Sequence, residues 1–184
     1  MNVTLRRQVL DSAKALFMAN GYEKVGMREI ARSIGLNPMQ IYRLNLSKTD
    51  ILAEIILELN AEQIRLQAQL CASVTGDTVF ERVCGYLLEL YRLDITYLPI
   101  RSVGAAYGWM WNDYYEAKIT AQIFDLVAPV VTYLSEANLD EIPARCYAIW
   151  SLYYVGYRHA VINAGTAEGC LAEIKPSLQL LFPC

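Results

Sequence analysis

Apolar residues recur along this chain at intervals of three and four, so its pattern is that of helices throughout. The first predicted helix runs from Thr4 to Asn20, with Val9, Ala13, Leu16 and Phe17 on one face and Gly21 as its stop. A second covers Met27 to Ile34, where Ile30, Ala31 and Ile34 keep helical spacing. Gly35 ends it, because glycine enters the left-handed region without strain. Asn37 suits an N-cap, Pro38 costs nothing at a first helical position, and Gln40 is placed to reach back to the Asn37 amide. This third helix, residues 38–43, is too short to owe its stability to propensity. Ile41 and Leu44 face inward, leaving Pro38, Met39, Gln40, Tyr42 and Arg43 on the other face. Helix, tight glycine turn and capped short helix make a helix-turn-helix, whose second helix sets its first residues against base edges in a DNA major groove.

Downstream the same periodicity continues. Ser47 with Asp50 forms a second capping box and opens a helix carrying Ile51, Leu52, Ile55, Ile56, Leu59, Leu66 and Leu70 to about Cys71. At 1.5 Å per residue it spans roughly 36 Å. Thr75-Gly76-Asp77 marks a break, and a helix follows to about Asp94. Further helices are predicted over 99–111, 113–137, 141–164 and 168–182. Pro129 is expected to kink its helix rather than end it, since Val130 to Leu134 continue the apolar pattern.

The stretch "AKALFMANGYEKVGMREIARSIGLNPMQIYRLNLSKTDIL" resembles the N-terminal domain of the tetracycline-repressor (TetR) family of bacterial regulators. Ala13, Leu16, Phe17, Gly21, Tyr22, Ile30, Ala31, Gly35, Ile41, Tyr42, Lys48 and Leu52 carry the likeness across about fifty residues. The resemblance implies an all-α chain: a three-helix DNA-binding domain over 1–46, joined by a long helix to a helical ligand-binding and dimerisation domain over 47–184. Its implied function is that of a homodimeric repressor, bound to a near-palindromic operator and released by a small molecule. A helical body answering to a protein partner is the alternative. Arg28, Asn37, Pro38, Met39, Gln40, Tyr42, Arg43 and Lys48 are the candidate DNA contacts, with Tyr42 and Lys48 on phosphates. The chain departs from the family where Val25 and Gly26 replace a threonine or serine opening helix 2. It departs again where Leu44 and Asn45 replace a histidine and an aromatic residue, Leu46 standing by to supply the missing apolar bulk.

Charge agrees with this division. The first fifty residues hold eight Lys/Arg against four Asp/Glu, and the remainder eight against fifteen, a basic head on an acidic body. A basic head suits phosphate contacts. The chain is 55% apolar and only 19% charged, so much surface must be covered, inside it or between subunits. No signal peptide and no span of some twenty apolar residues is read from the sequence, and scattered cysteines without metal-ligand spacing fit a reducing cytoplasm. No cofactor is expected. His159 is the single histidine, and no acid/base pair accompanies a nucleophile, so the reading is non-enzymatic.

Two faces of the body remain to be assigned. In the 141–164 helix, Cys146, Trp150, Tyr153, Tyr157, Ala160 and Ala164 alternate four and three apart, while Ile149, Leu152, Val155 and Ile162 load the opposite side. A helix apolar on more than one face must be covered on more than one. Trp150, Tyr153, Tyr157, Leu171 and Leu178 are therefore the expected dimer contacts, in the four-helix bundle that the resemblance implies. Eleven of thirteen tyrosines and all three tryptophans follow residue 85. Tyr86, Tyr107, Trp111, Tyr114 and Tyr133 are expected to line a pocket for a flat aromatic or lipophilic molecule, cations included, since Asp113 and Glu116 lie nearby.

Overall fold

The computed structural model describes residues 3–107 and 110–183, except the side chains of Val3 and Tyr42. Among those residues the chain forms α1 (Val3–Asn20), α2 (Met27–Ser33), α3 (Pro38–Tyr42), α4 (Lys48–Ser73), α5 (Val79–Ile95), α6 (Leu98–Tyr107), α7 (Asp113–Glu136), α8 (Ile142–Asn163) and α9 (Ala167–Gln179). The all-helical expectation holds. α6 stops at Tyr107, short of the predicted 111, and Gly108 and Trp109 lie outside the described residues. α7 passes through Pro129, where its apolar pattern continues.

Local chemistry fixes the ends. The Asn37 side chain accepts from the Met39 amide at 3.0 Å, and Gln40 Oε1 accepts from the Asn37 amide at 2.9 Å. Asp50 accepts from the Ser47 amide at 2.8 Å while Ser47 Oγ accepts from the Asp50 amide at 3.0 Å. A third box, Thr78 with Glu81, opens α5. Gly21 (φ 81°) and Gly35 (φ 69°) take the left-handed turns after α1 and α2. So does Asn45 (φ 52°), a conformation asparagine tolerates better than an aromatic residue would. Its side chain is exposed and Leu46 is buried instead, as the departure from the family pattern suggested.

The chain divides into two compact units, and not at residue 46. One comprises Met1–Leu59 with Pro99–Ile119, the other Asn60–Leu98 with Thr120–Cys184. The correction has a physical reason: Ile51, Leu52 and Ile55 are fully buried with Val9, Phe17, Ile30 and Ile41, so the start of α4 completes the core of the first unit. α6 joins it through Gly104, where a β-carbon would press into the Ile56 side chain. Along α4, Asp50, Glu54 and Glu58 stand four apart and face polar partners. Arg6 holds Glu54 with two nitrogens, Tyr115 donates to Glu54 at 2.8 Å, Arg7 pairs with Glu58 at 2.8 Å, and Asn112 donates to Asp50 at 3.4 Å.

The second unit is built on tyrosine. The rings of Tyr91 (α5) and Tyr153 (α8) stack at 4.3 Å, and the Tyr91 hydroxyl donates to the Tyr153 carbonyl at 2.7 Å. Gly156 makes room for that ring, since a β-carbon there would overlap the Tyr91 hydroxyl. Asp94, 3% exposed, accepts from Gln63 and from the Tyr153 hydroxyl, each at 2.6 Å. By length and composition α7 is apolar enough to cross a membrane, a run the sequence reading passed over. Its Leu126, Val130, Tyr133 and Leu134 are buried in this unit's core.

Candidate nucleic-acid interface

α2 and α3 cross with Ile30, Ala31 and Ile41 buried between them, which turns the remaining faces outward. Arg28, Asn37, Met39, Gln40 and Arg43 are exposed and Pro38 is half-buried. Met39, at 65%, is its most prominent apolar group. The Tyr42 side chain lies outside the description. Gln40 carries the capping bond on its oxygen, leaving its amide nitrogen outward.

Pairing separates two kinds of cation. Arg6, Arg7, Arg65, Arg82 and Arg92 all hold carboxylates. Among the described residues, Arg28, Arg32, Arg43 and Lys48 form no ion pair. Uncompensated charge is what attracts phosphate. Arg32, one turn beyond Arg28 on α2, was not singled out from the sequence, although the four-residue spacing announces a shared face. Lys48 is anchored by an aromatic ring: its ammonium lies 4.0 Å from the centroid of Tyr22.

The five aromatic residues expected in one pocket are divided between the units. Tyr107, Trp111 and Tyr114 belong to the first, Tyr86 and Tyr133 to the second. Tyr86 is fully buried and donates to the Leu126 carbonyl at 2.8 Å, and burial raises its phenol pKa. The Tyr133 ring, 6.5 Å away, already faces the Arg82 guanidinium at 4.2 Å. Exposed Tyr114 likewise faces Lys118 at 4.3 Å, and that ammonium's hydrogen bond lowers the Tyr114 pKa. The chain's own side chains therefore occupy two ring faces expected to attract a cation.

The residues expected at the dimer contact take two positions in the single chain. Tyr153, Tyr157 and Leu178 are buried in the core of their own unit, and Trp150 and Leu171 are partly buried against it. The exposed apolar residues of α8 are Tyr147 (79%), Ile162 (64%), Tyr154, Val155 and Val161, whereas Ile149 of the second predicted stripe is buried in the core. His159 braces the α8–α9 corner, its Nδ1 3.3 Å from Asn163 Nδ2 and 3.6 Å from Glu173. Cys71, Cys84, Cys146 and Cys170 are free thiols, and burial pushes Cys84 up to about 11, which keeps it unreactive.

Residues 9–55 match the sequence model of the bacterial regulatory proteins of the tetR family. No curated protein sequence matches the chain. Among solved structures it is similar to a TetR/AcrR-family transcriptional regulator from Thermobifida fusca YX-ER1, 19% identical over 97% of each chain, with a TM-score of 0.70. It is also similar to the transcriptional regulator FadR from Bacillus subtilis, solved in complex with stearoyl-CoA, at 20% identity over 95% of this chain and 96% of that one, TM-score 0.68. PfmR from Thermus thermophilus, a TetR-family regulator, is 17% identical over 92% and 96%, TM-score 0.67. Residues 9–55 thus carry the DNA-binding domain of the tetR family of bacterial regulatory proteins, and the chain has the fold of these solved regulators along nearly its whole length.

Proposed function

We propose that this chain is a TetR-family transcriptional regulator, a cytoplasmic homodimeric repressor that binds a near-palindromic operator and leaves it when a small lipophilic or aromatic molecule binds the helical body. The observation that carries the DNA half is the set of cations without an ion pair around a doubly capped α3: exposed Arg28 and Arg43, and half-buried Lys48. In this reading Arg28, Met39, Gln40 and Arg43 read base edges, while Tyr42 and Lys48 hold phosphates, and Asn37 and Pro38 fix the start of α3. Arg28→Ala should cost about 1–3 kcal/mol on the operator and relax specificity; Lys48→Ala should weaken all sequences alike and reduce the salt slope by about one. Fluorescence anisotropy on operator and random duplexes at several salt concentrations measures both. Equal losses on both duplexes for Arg28→Ala would remove it from the readers.

The effector half rests on the apolar, aromatic body and on the likeness to FadR, whose structure holds stearoyl-CoA. That likeness favours the lipophilic class, and the occupied faces of Tyr133 and Tyr114 weigh against a cation. Titration of the operator complex with acyl-CoA and neutral aromatic compounds, following tryptophan fluorescence and DNA release together, tests it. Fluorescence change without release would point away from an inducer.

A further inference from the structure

Lys48 opens α4, and its ammonium rests on the face of Tyr22, the buried tyrosine of the α1–α2 turn. Tyr22 is itself held by two further rings. Phe17 meets it edge-on at 5.0 Å, and the ring of Tyr107 from α6 does so at 5.4 Å. Phe17 lies on α1; Tyr107 reaches the same ring from some eighty-five positions beyond Tyr22 in the chain. A ring face binds an ammonium without cancelling its charge as a carboxylate would. The lysine keeps its three donors and gains a fixed position.

We infer that Tyr107 is a positioning residue for DNA binding, which sets the Tyr22 ring and through it the phosphate-seeking Lys48. The inference rests on the reading of Lys48 as a phosphate contact. Losing the Tyr107 ring frees Tyr22 to tilt, and the ammonium loses its platform. The contact at stake is with phosphate, so the loss falls on all DNA sequences and shows in the salt dependence.

The test is a double-variant cycle on the full chain, with anisotropy binding to operator and random duplexes across a salt series. Tyr107→Ala should weaken both duplexes about three- to tenfold and flatten the salt slope in the same direction as Lys48→Ala. Combined with Lys48→Ala it should add little further loss, because both act on one contact. Tyr107→Phe keeps the ring edge and should restore most of the affinity, which a general loss of folding would not allow; circular dichroism verifies helical content in each variant. Additive losses in the double variant, or an unchanged salt slope for Tyr107→Ala, would overturn the inference. An unaltered affinity for Lys48→Ala would instead overturn the phosphate reading of Lys48 on which it stands.

Discussion

A chain carrying Tyr147→Glu and Ile162→Glu together should sediment as a monomer and lose at least about 100-fold in affinity for a two-half-site operator, the scale at which bivalence acts. Tyr147, Tyr154 and Val161 stand seven apart along α8, and Val155 and Ile162 follow the same interval beside them. All five are exposed in the single chain, and a contiguous apolar stripe of this kind marks an interaction surface. A charge placed in such an interface is desolvated without a partner. Tyr147 and Ile162, the two most exposed residues of the stripe, lie outside the core that Tyr153 and Tyr157 help build, so that core should keep its packing and its circular dichroism. Leu178→Glu makes the contrast, since Leu178 is fully buried and its replacement should unfold the unit rather than split a dimer. Sedimentation velocity decides between these results. Tight operator binding by a fully dimeric double variant would assign the interface to another face.

Asp94→Ala should lower unfolding stability by at least about 1 kcal/mol, because it removes the acceptor of two buried hydrogen bonds, from Gln63 and from the Tyr153 hydroxyl, at roughly 0.5–1.5 kcal/mol each. The carboxylate joins residues of α4, α5 and α8 within the second unit, so the loss should fall on that unit's cooperative transition. Asp94→Asn retains an acceptor oxygen and should recover part of the difference. Urea unfolding followed by circular dichroism measures both. A change within about 0.5 kcal/mol for Asp94→Ala, the range of ordinary surface substitutions, would mean that the donors find other partners.

What the sequence made legible was local. The Asn37–Gln40 and Ser47–Asp50 boxes join residues three apart, and Gly21 and Gly35 punctuate the helices they follow, so the helix-turn-helix could be drawn from neighbours alone. The faces of α8 could not. Both are apolar, so periodicity locates two stripes without ranking them, and the choice is made by Tyr91 and Asp94, some sixty residues upstream. The same distance hid the membership of the first unit. Tyr107 on Tyr22 and Tyr115 on Glu54 are long-range pairings, and nothing near Tyr107 or Tyr115 in the sequence announces them. The pocket expectation was drawn from aromatic abundance, which does not distinguish rings that line a cavity from rings that build a core, as Tyr86 does.

The capping bond of α3 also restricts what the protein can say to DNA. A glutamine recognises adenine by accepting from the base's amino group while donating to its ring nitrogen, a task that needs both ends of the amide. In this chain Gln40 Oε1 already accepts from the Asn37 amide, while the nitrogen end remains a donor. A donor alone meets N7 of either purine, O6 of guanine or O4 of thymine, so it does not single out adenine. The operator letter opposite Gln40 should therefore be loosely specified, and the helix keeps its first turn by giving up the two-ended selection of adenine that an uncommitted glutamine makes.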